Sequence, residues 1–160
     1  MHPNLSPLVA AATVNQPPLS LHAVDESAFD RARLRRLCHA AGLRFRWQEA
    51  SGAAEMMELL AEHAVDVVLL DYFLPDIDGL ACAARLRSGR EDHAIGIVLV
   101  SGRADDELGA RASLAGCDVY LQKSGLKPDD VRKGVLRAHF VQTIRVTLST
   151  LTGRRGRYLM

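Results

Sequence analysis

The sequence carries almost no net charge. Twenty Lys and Arg stand against 19 Asp and Glu, so bulk electrostatics argues for neither a nucleic-acid nor a membrane partner. It has no apolar run approaching the roughly 18 residues of a membrane-spanning helix. Its opening stretch, MHPNLSPLVAAATVNQPPLS, lacks the basic start and long apolar segment of a secretory signal. Cysteine is scarce: Cys38, Cys82 and Cys117 form no CxxC pair and no metal-type spacing. They stand among small apolar residues and read as buried side chains in a reducing, cytoplasmic setting. No internal repeat occurs. Basic residues do cluster in RARLRR (31–36) and GRRGR (153–157), patterns that usually mark solvated faces or tails.

What remains is enough for one domain, with 160 residues of which 48% are apolar and 24% charged. Residues 1–18 hold four of the six prolines and predict a flexible arm. A short apolar strand follows at 19–24. Phe29, Leu34, Leu37, Cys38 and Ala41 then recur at helical spacing until Gly42. LRFRWQ (43–48) alternates as a half-wet edge strand, and Ser51 can cap a second helix carrying Met56, Leu59 and Leu60. A buried strand over 66–71 ends in Asp71, and a third helix spans 80–87. Another apolar strand, 95–102, ends near Ser101. A fourth helix closes at Gly116, and DVYLQK (118–123) is the fifth strand. Pro128, Asp129 and Asp130 open a last helix with the stripe Val131, Val135, Ala138, Val141, Ile144, Leu148, Leu151.

Five βα repeats with apolar central strands predict an α/β fold, a doubly wound parallel sheet with helices on both faces. Function in such sheets gathers at the carboxyl ends of the strands. There the sequence places Asp25 and Glu26, Asp71, Ser101 and Lys123. Two carboxylates about 5 Å apart repel by roughly 3 kcal/mol at an effective dielectric near 20. Three therefore call for a cation, and an all-oxygen set suits Mg²⁺. Lys123 supplies a point charge for a phosphate, and Ser101 a hydrogen-bond donor. The set describes a phosphoryl-transfer site with Asp71 as nucleophile. Each residue also has a plainer reading: Asp25 as a helix cap, Asp71 as a loop cap, Lys123 as a solvated lysine.

The motifs VDES, DVVLLDYFLPDIDG, VLVSG and DVYLQK together resemble the receiver domains of two-component response regulators, over about Leu19 to Leu136. The resemblance implies the flavodoxin-like strand order 2-1-3-4-5. It also implies phosphorylation of Asp71 by a histidine kinase or phosphotransfer protein. Mg²⁺ would be held by Glu26, by Asp25 through water, by Asp71 and by the Phe73 backbone carbonyl. Ser101 and Lys123 would hold the phosphoryl group, and Tyr120 stands at the aromatic switch position. Three departures stand out: Glu26 for the usual Asp, Ser124 where Pro is common, and a last helix longer than the family's. The divisions expected are an arm (1–18), a receiver domain (19–140) and a helical extension with a basic tail (141–160).

After residue 151 only TGRRGRYLM remains. The expectation is a receiver that is no enzyme beyond autodephosphorylation and signals through changed contacts with a downstream protein. A homodimer through the last helix is expected, with no direct nucleic-acid or membrane binding. Two other readings stay open. One is a pseudo-receiver that binds proteins without phosphorylation. The other, an aspartyl-nucleophile phosphatase, is disfavoured because Phe73 occupies the place of its general acid.

Overall fold

The apolar runs of the sequence become the centre of a parallel sheet. The structure, a computed structural model, describes residues 16–88, 95–103 and 105–155. In chain order the elements are β1 (Leu19–Val24), α1 (Ala28–Ala40), β2 (Phe45–Ala50), α2 (Ala53–Glu62) and β3 (Val67–Asp71). They continue with α3 (Gly79–Ser88), β4 (Gly96–Ser101), α4 (Leu108–Ala115), β5 (Val119–Gln122) and α5 (Pro128–Arg155). All neighbouring strands pair in parallel, in the order β2-β1-β3-β4-β5. Parallel strands need crossover connections, and α1 to α4 supply them.

Every residue of β3 and β4 is buried, which explains their unbroken apolar character. Alternation along β3 then divides the core. Val67 and Leu69 pack with Leu34 and Cys38 of α1 and Val131, Val135 and Ala138 of α5. Val68 and Leu70 pack with Met56 and Leu60 of α2, Cys82 and Leu86 of α3, and Leu108 of α4. The three cysteines are buried and free, and burial pushes each thiol up to about 12, so none is a nucleophile at neutral pH. His22 is buried in β1 without a hydrogen-bond partner for either ring nitrogen. Burial, and then the charge of His63, hold it below its usual range, so it packs as a neutral ring.

Local expectations failed in three places. Phe29 is 71% exposed, because five helical steps set it well off the line of Leu34 and Cys38. β2 begins at Phe45 rather than Leu43, since the Leu43 amide closes the end of α1 by donating to the Cys38 carbonyl. Ser51 does not cap α2. Its amide and hydroxyl both donate to Glu55, and the N-cap residue is Gly52. The free amides of Ala53 and Ala54 instead donate to Asp76, at 3.0 and 2.8 Å, from the loop after β3. Those bonds, Ala54 first, hold the Asp76 carboxyl below its usual range. Asp76→Ala should therefore cost about 1 kcal/mol in a urea titration. An unchanged midpoint would show that α2 needs no cap.

The arm expected over 1–18 lies, as far as residue 15, outside the described residues, as do residues 156–160 of the tail. α5 runs unbroken through residue 140 and, at 28 residues, is about 42 Å long. Beyond Ala138 its stripe leaves the core, and Ile144, Leu148 and Leu151 are exposed. Arg145 returns the helix to the body by pairing with Asp118, just before β5. Asp118 also accepts from Arg87 of α3 and from the Ile97 amide, both at 2.9 Å. Among the described residues no helix is long and apolar enough to cross a membrane.

Candidate functional site

Strand register places the site. Val24 of β1 pairs with Leu70 of β3, so the next residues, Asp25 and Asp71, emerge side by side. Asp71 pairs with Val100, and Ser101 follows in β4. Ser101 pairs with Gln122, and Lys123 follows β5. The Lys123 amide donates to the Ser101 carbonyl at 2.8 Å, fastening the last two strand ends together.

The Lys123 ammonium organises the charges. Its Nζ lies 2.7 Å from Asp25, 3.1 Å from Asp30 and 3.2 Å from Asp71. Burial works against the Lys123 charge, but hydrogen bonds to Asp25 and Asp30 and the Asp71 charge outweigh it and raise its pKa. Asp25 spends its other oxygen on the Ser27 amide, at 2.9 Å. Asp71 is less well served. Its Oδ1 is buried and within ion-pair distance of Lys123, yet receives no directed hydrogen bond. Burial, and then the Asp25 charge, push the Asp71 carboxyl up to about 6, with Lys123 pulling the other way.

Ser101 is fully buried, and its hydroxyl accepts from the Arg103 amide at 3.1 Å. The hydroxyl of Tyr120 donates to the carbonyl of the same Arg103, also at 3.1 Å. Two expected site residues, on different strands, thus hold one loop residue.

Glu26 is not gathered with the others. Its side chain is exposed, while its carbonyl and that of Asp25 accept from the Arg31 guanidinium. Among the described residues no group of three His, Cys, Asp or Glu is close enough to hold a metal, so the set Asp25, Glu26 and Asp71 is not assembled. Asp25 and Asp71 still suit a hard cation. Both are oxygen donors at adjoining strand ends, and the under-satisfied Asp71 Oδ1 is what a cation would relieve. Phe73 lies two residues after Asp71, in the loop that leaves β3.

Residues of α1 were missed. Asp30 has no part in the sequence reading, and the RARLRR arginines read as a solvated face. Instead Asp30 holds Lys123 Nζ, Arg33 donates to the Lys123 carbonyl at 2.9 Å, and Arg31 braces the β1–α1 turn. The spacing of Asp30 and Arg33, three residues apart on one helix face, was the available signal.

A sequence model of the response regulator receiver domain matches residues 21–135. The chain belongs to that family, a module of two-component signal transduction. It is 38% identical over 88 residues to TorR, the TorCAD operon transcriptional regulatory protein of Escherichia coli K12, covering 55% of this chain and 35% of TorR. To the transcriptional regulatory protein SrrA of Staphylococcus aureus it is 31% identical over 123 residues, 76% of this chain and 47% of SrrA. It thus spans less than half of either relative. A CheY-like response regulator receiver domain protein from Methanospirillum hungatei JF-1 superimposes with a TM-score of 0.67. That match covers 79% of this chain and 98% of the other at 20% identity, which is likeness of fold.

Proposed function

We propose that Asp71 accepts a phosphoryl group from a histidine kinase or phosphotransfer protein and that the modified domain signals by changed protein contacts. The observation that carries this reading is the buried Asp71 Oδ1, free of directed donors and 3.2 Å from an ammonium. An oxygen of the Asp71 carboxylate attacks phosphorus, the P–N bond to the donor imidazole breaks, and the nitrogen keeps the bonding pair, leaving an acyl phosphate on Asp71. Bound Mg²⁺, held by Asp25, Asp71 and the Phe73 carbonyl, would offset the charge that acceptor and phosphoryl oxygens share. Lys123 pairs with the transferred group. Ser101 turns its hydroxyl toward that group and gives up the Arg103 amide, which loosens the residue that also holds Tyr120. Tyr120 is thereby the switch.

The test is intact mass and peptide mapping after incubation with a small phosphodonor and Mg²⁺. One base-labile phosphoryl group on Asp71 is expected. Its absence would overturn the reading and favour a phosphorylation-independent binding module, a role to which the outlying Glu26 lends support.

The receiver occupies residues 19–140 in this reading, and residues 141–160 extend it for assembly. Leu136, Phe140, Ile144, Leu148 and Leu151 are all exposed along α5, at four- and three-residue spacing, as in a helix that meets a second copy. Sedimentation at tens of micromolar should show a dimer that becomes monomeric when residues 141–160 are deleted. A monomer in both cases removes the dimer.

A further inference from the structure

We infer that Asp30 is a positioning residue that receives the Lys123 ammonium when a divalent cation occupies Asp25 and Asp71; this rests on the proposed metal and phosphoryl site. Lys123 Nζ now stands 2.7 and 3.2 Å from the two carboxylates the cation would take. Ammonium and cation therefore compete for the same oxygens. Without another acceptor, metal binding would leave the half-buried Lys123 ammonium unpaired, which is costly.

Asp30 removes that cost. It already lies 3.1 Å from Nζ, and its side chain is 30% exposed against 3% for Asp25 and 8% for Asp71, so it forms the outer side of the group. The N-cap fixes its place, because the Asp30 amide donates to the Ser27 hydroxyl at 3.2 Å. One turn on, Arg33 grips the Lys123 carbonyl. α1 thus holds the backbone of Lys123 still while offering its amine a second seat. The charges agree: three carboxylates around one ammonium leave an excess of two negative charges, the complement of a divalent ion.

The experiment is a calorimetric titration of the full chain with MgCl₂. Asp30→Asn should weaken Mg²⁺ binding about five- to tenfold, and Asp30→Glu should recover most of it. In a Lys123→Met background, where no ammonium needs a seat, Asp30→Asn should change the affinity less than about twofold. A loss of equal size in both backgrounds would mean that Asp30 acts as a ligand, as a remote charge or through folding, and would overturn the inference. So would wild-type affinity in Asp30→Asn, provided Asp71→Asn abolishes binding, which leaves the metal site standing. Failure of the wild-type chain to bind Mg²⁺ would overturn both together.

Discussion

Asp71→Asn is expected to abolish phosphoryl uptake and, at the same time, to make the metal-free protein more stable. Loss of uptake follows because an amide is a poor nucleophile with no charge to attract a cation. The gain in stability follows from the carboxyl itself, whose pKa rises from an ordinary 3.8 to about 6 in the folded chain. Between those values the folded state binds more protons than the unfolded one, so stability falls as pH rises. Above pH 6 the full penalty applies, on the order of 1–3 kcal/mol given about 1.4 kcal/mol per unit. Urea titrations of wild type and Asp71→Asn should coincide near pH 4 and separate by pH 7.5, with the variant ahead. Added Mg²⁺ should narrow the gap by stabilising only the wild type. A variant less stable than wild type at pH 7.5 would refute the account of Asp71 as a strained acceptor.

Gly79→Ala is expected to damage folding and acceptor together. Gly79 opens α3, and its amide donates to the Tyr72 carbonyl at 2.7 Å. A methyl group there would stand 2.4 Å from the Asp71 carbonyl oxygen and 2.9 Å from the Tyr72 Cα. Both are backbone atoms, so no rotamer change relieves the clash. α3 must part from the end of β3, at a cost of about 2–4 kcal/mol. Since Asp71 moves with that strand end, phosphoryl uptake should fall roughly a hundredfold even at temperatures where the variant is folded. Denaturation midpoints with single-turnover uptake check both. Normal uptake by a destabilised variant would separate the loop from the chemistry.

How far the sequence could be read depended on the range of each interaction. VVLL and IVLV have no wet face, so their place in the middle of a parallel sheet was visible in one dimension. The strand-end rule then named Asp25, Asp71, Ser101 and Lys123 without coordinates. Phe29 misled because apolar spacing was counted without its phase. The Asp76 cap was hidden because donor and acceptor are 22 and 23 residues apart, while Ser51 stood in the usual capping place. Asp30 and Arg33 were harder still, meeting Lys123 across 93 and 90 residues. Glu26 misled in the opposite way. Adjacency to Asp25 suggested a shared site, but neighbouring residues in a turn need not point together.

β5 has a neighbour on one side alone, and a four-residue strand about 13 Å long at a sheet's margin would ordinarily fray. Here the hem is stitched at both ends. Asp118 tacks one end to α3 and α5, and Lys123 tacks the other to α1, with the side chains of Asp118 and Lys123 5% and 16% exposed. Stitches so sheltered are little weakened by salt. Molar salt should therefore loosen the solvent-side pairing of Lys133 with Asp129 while the β5 amides stay slow to exchange. The margin of this sheet is tied at both ends, and a motion that begins at Lys123 starts from a held edge.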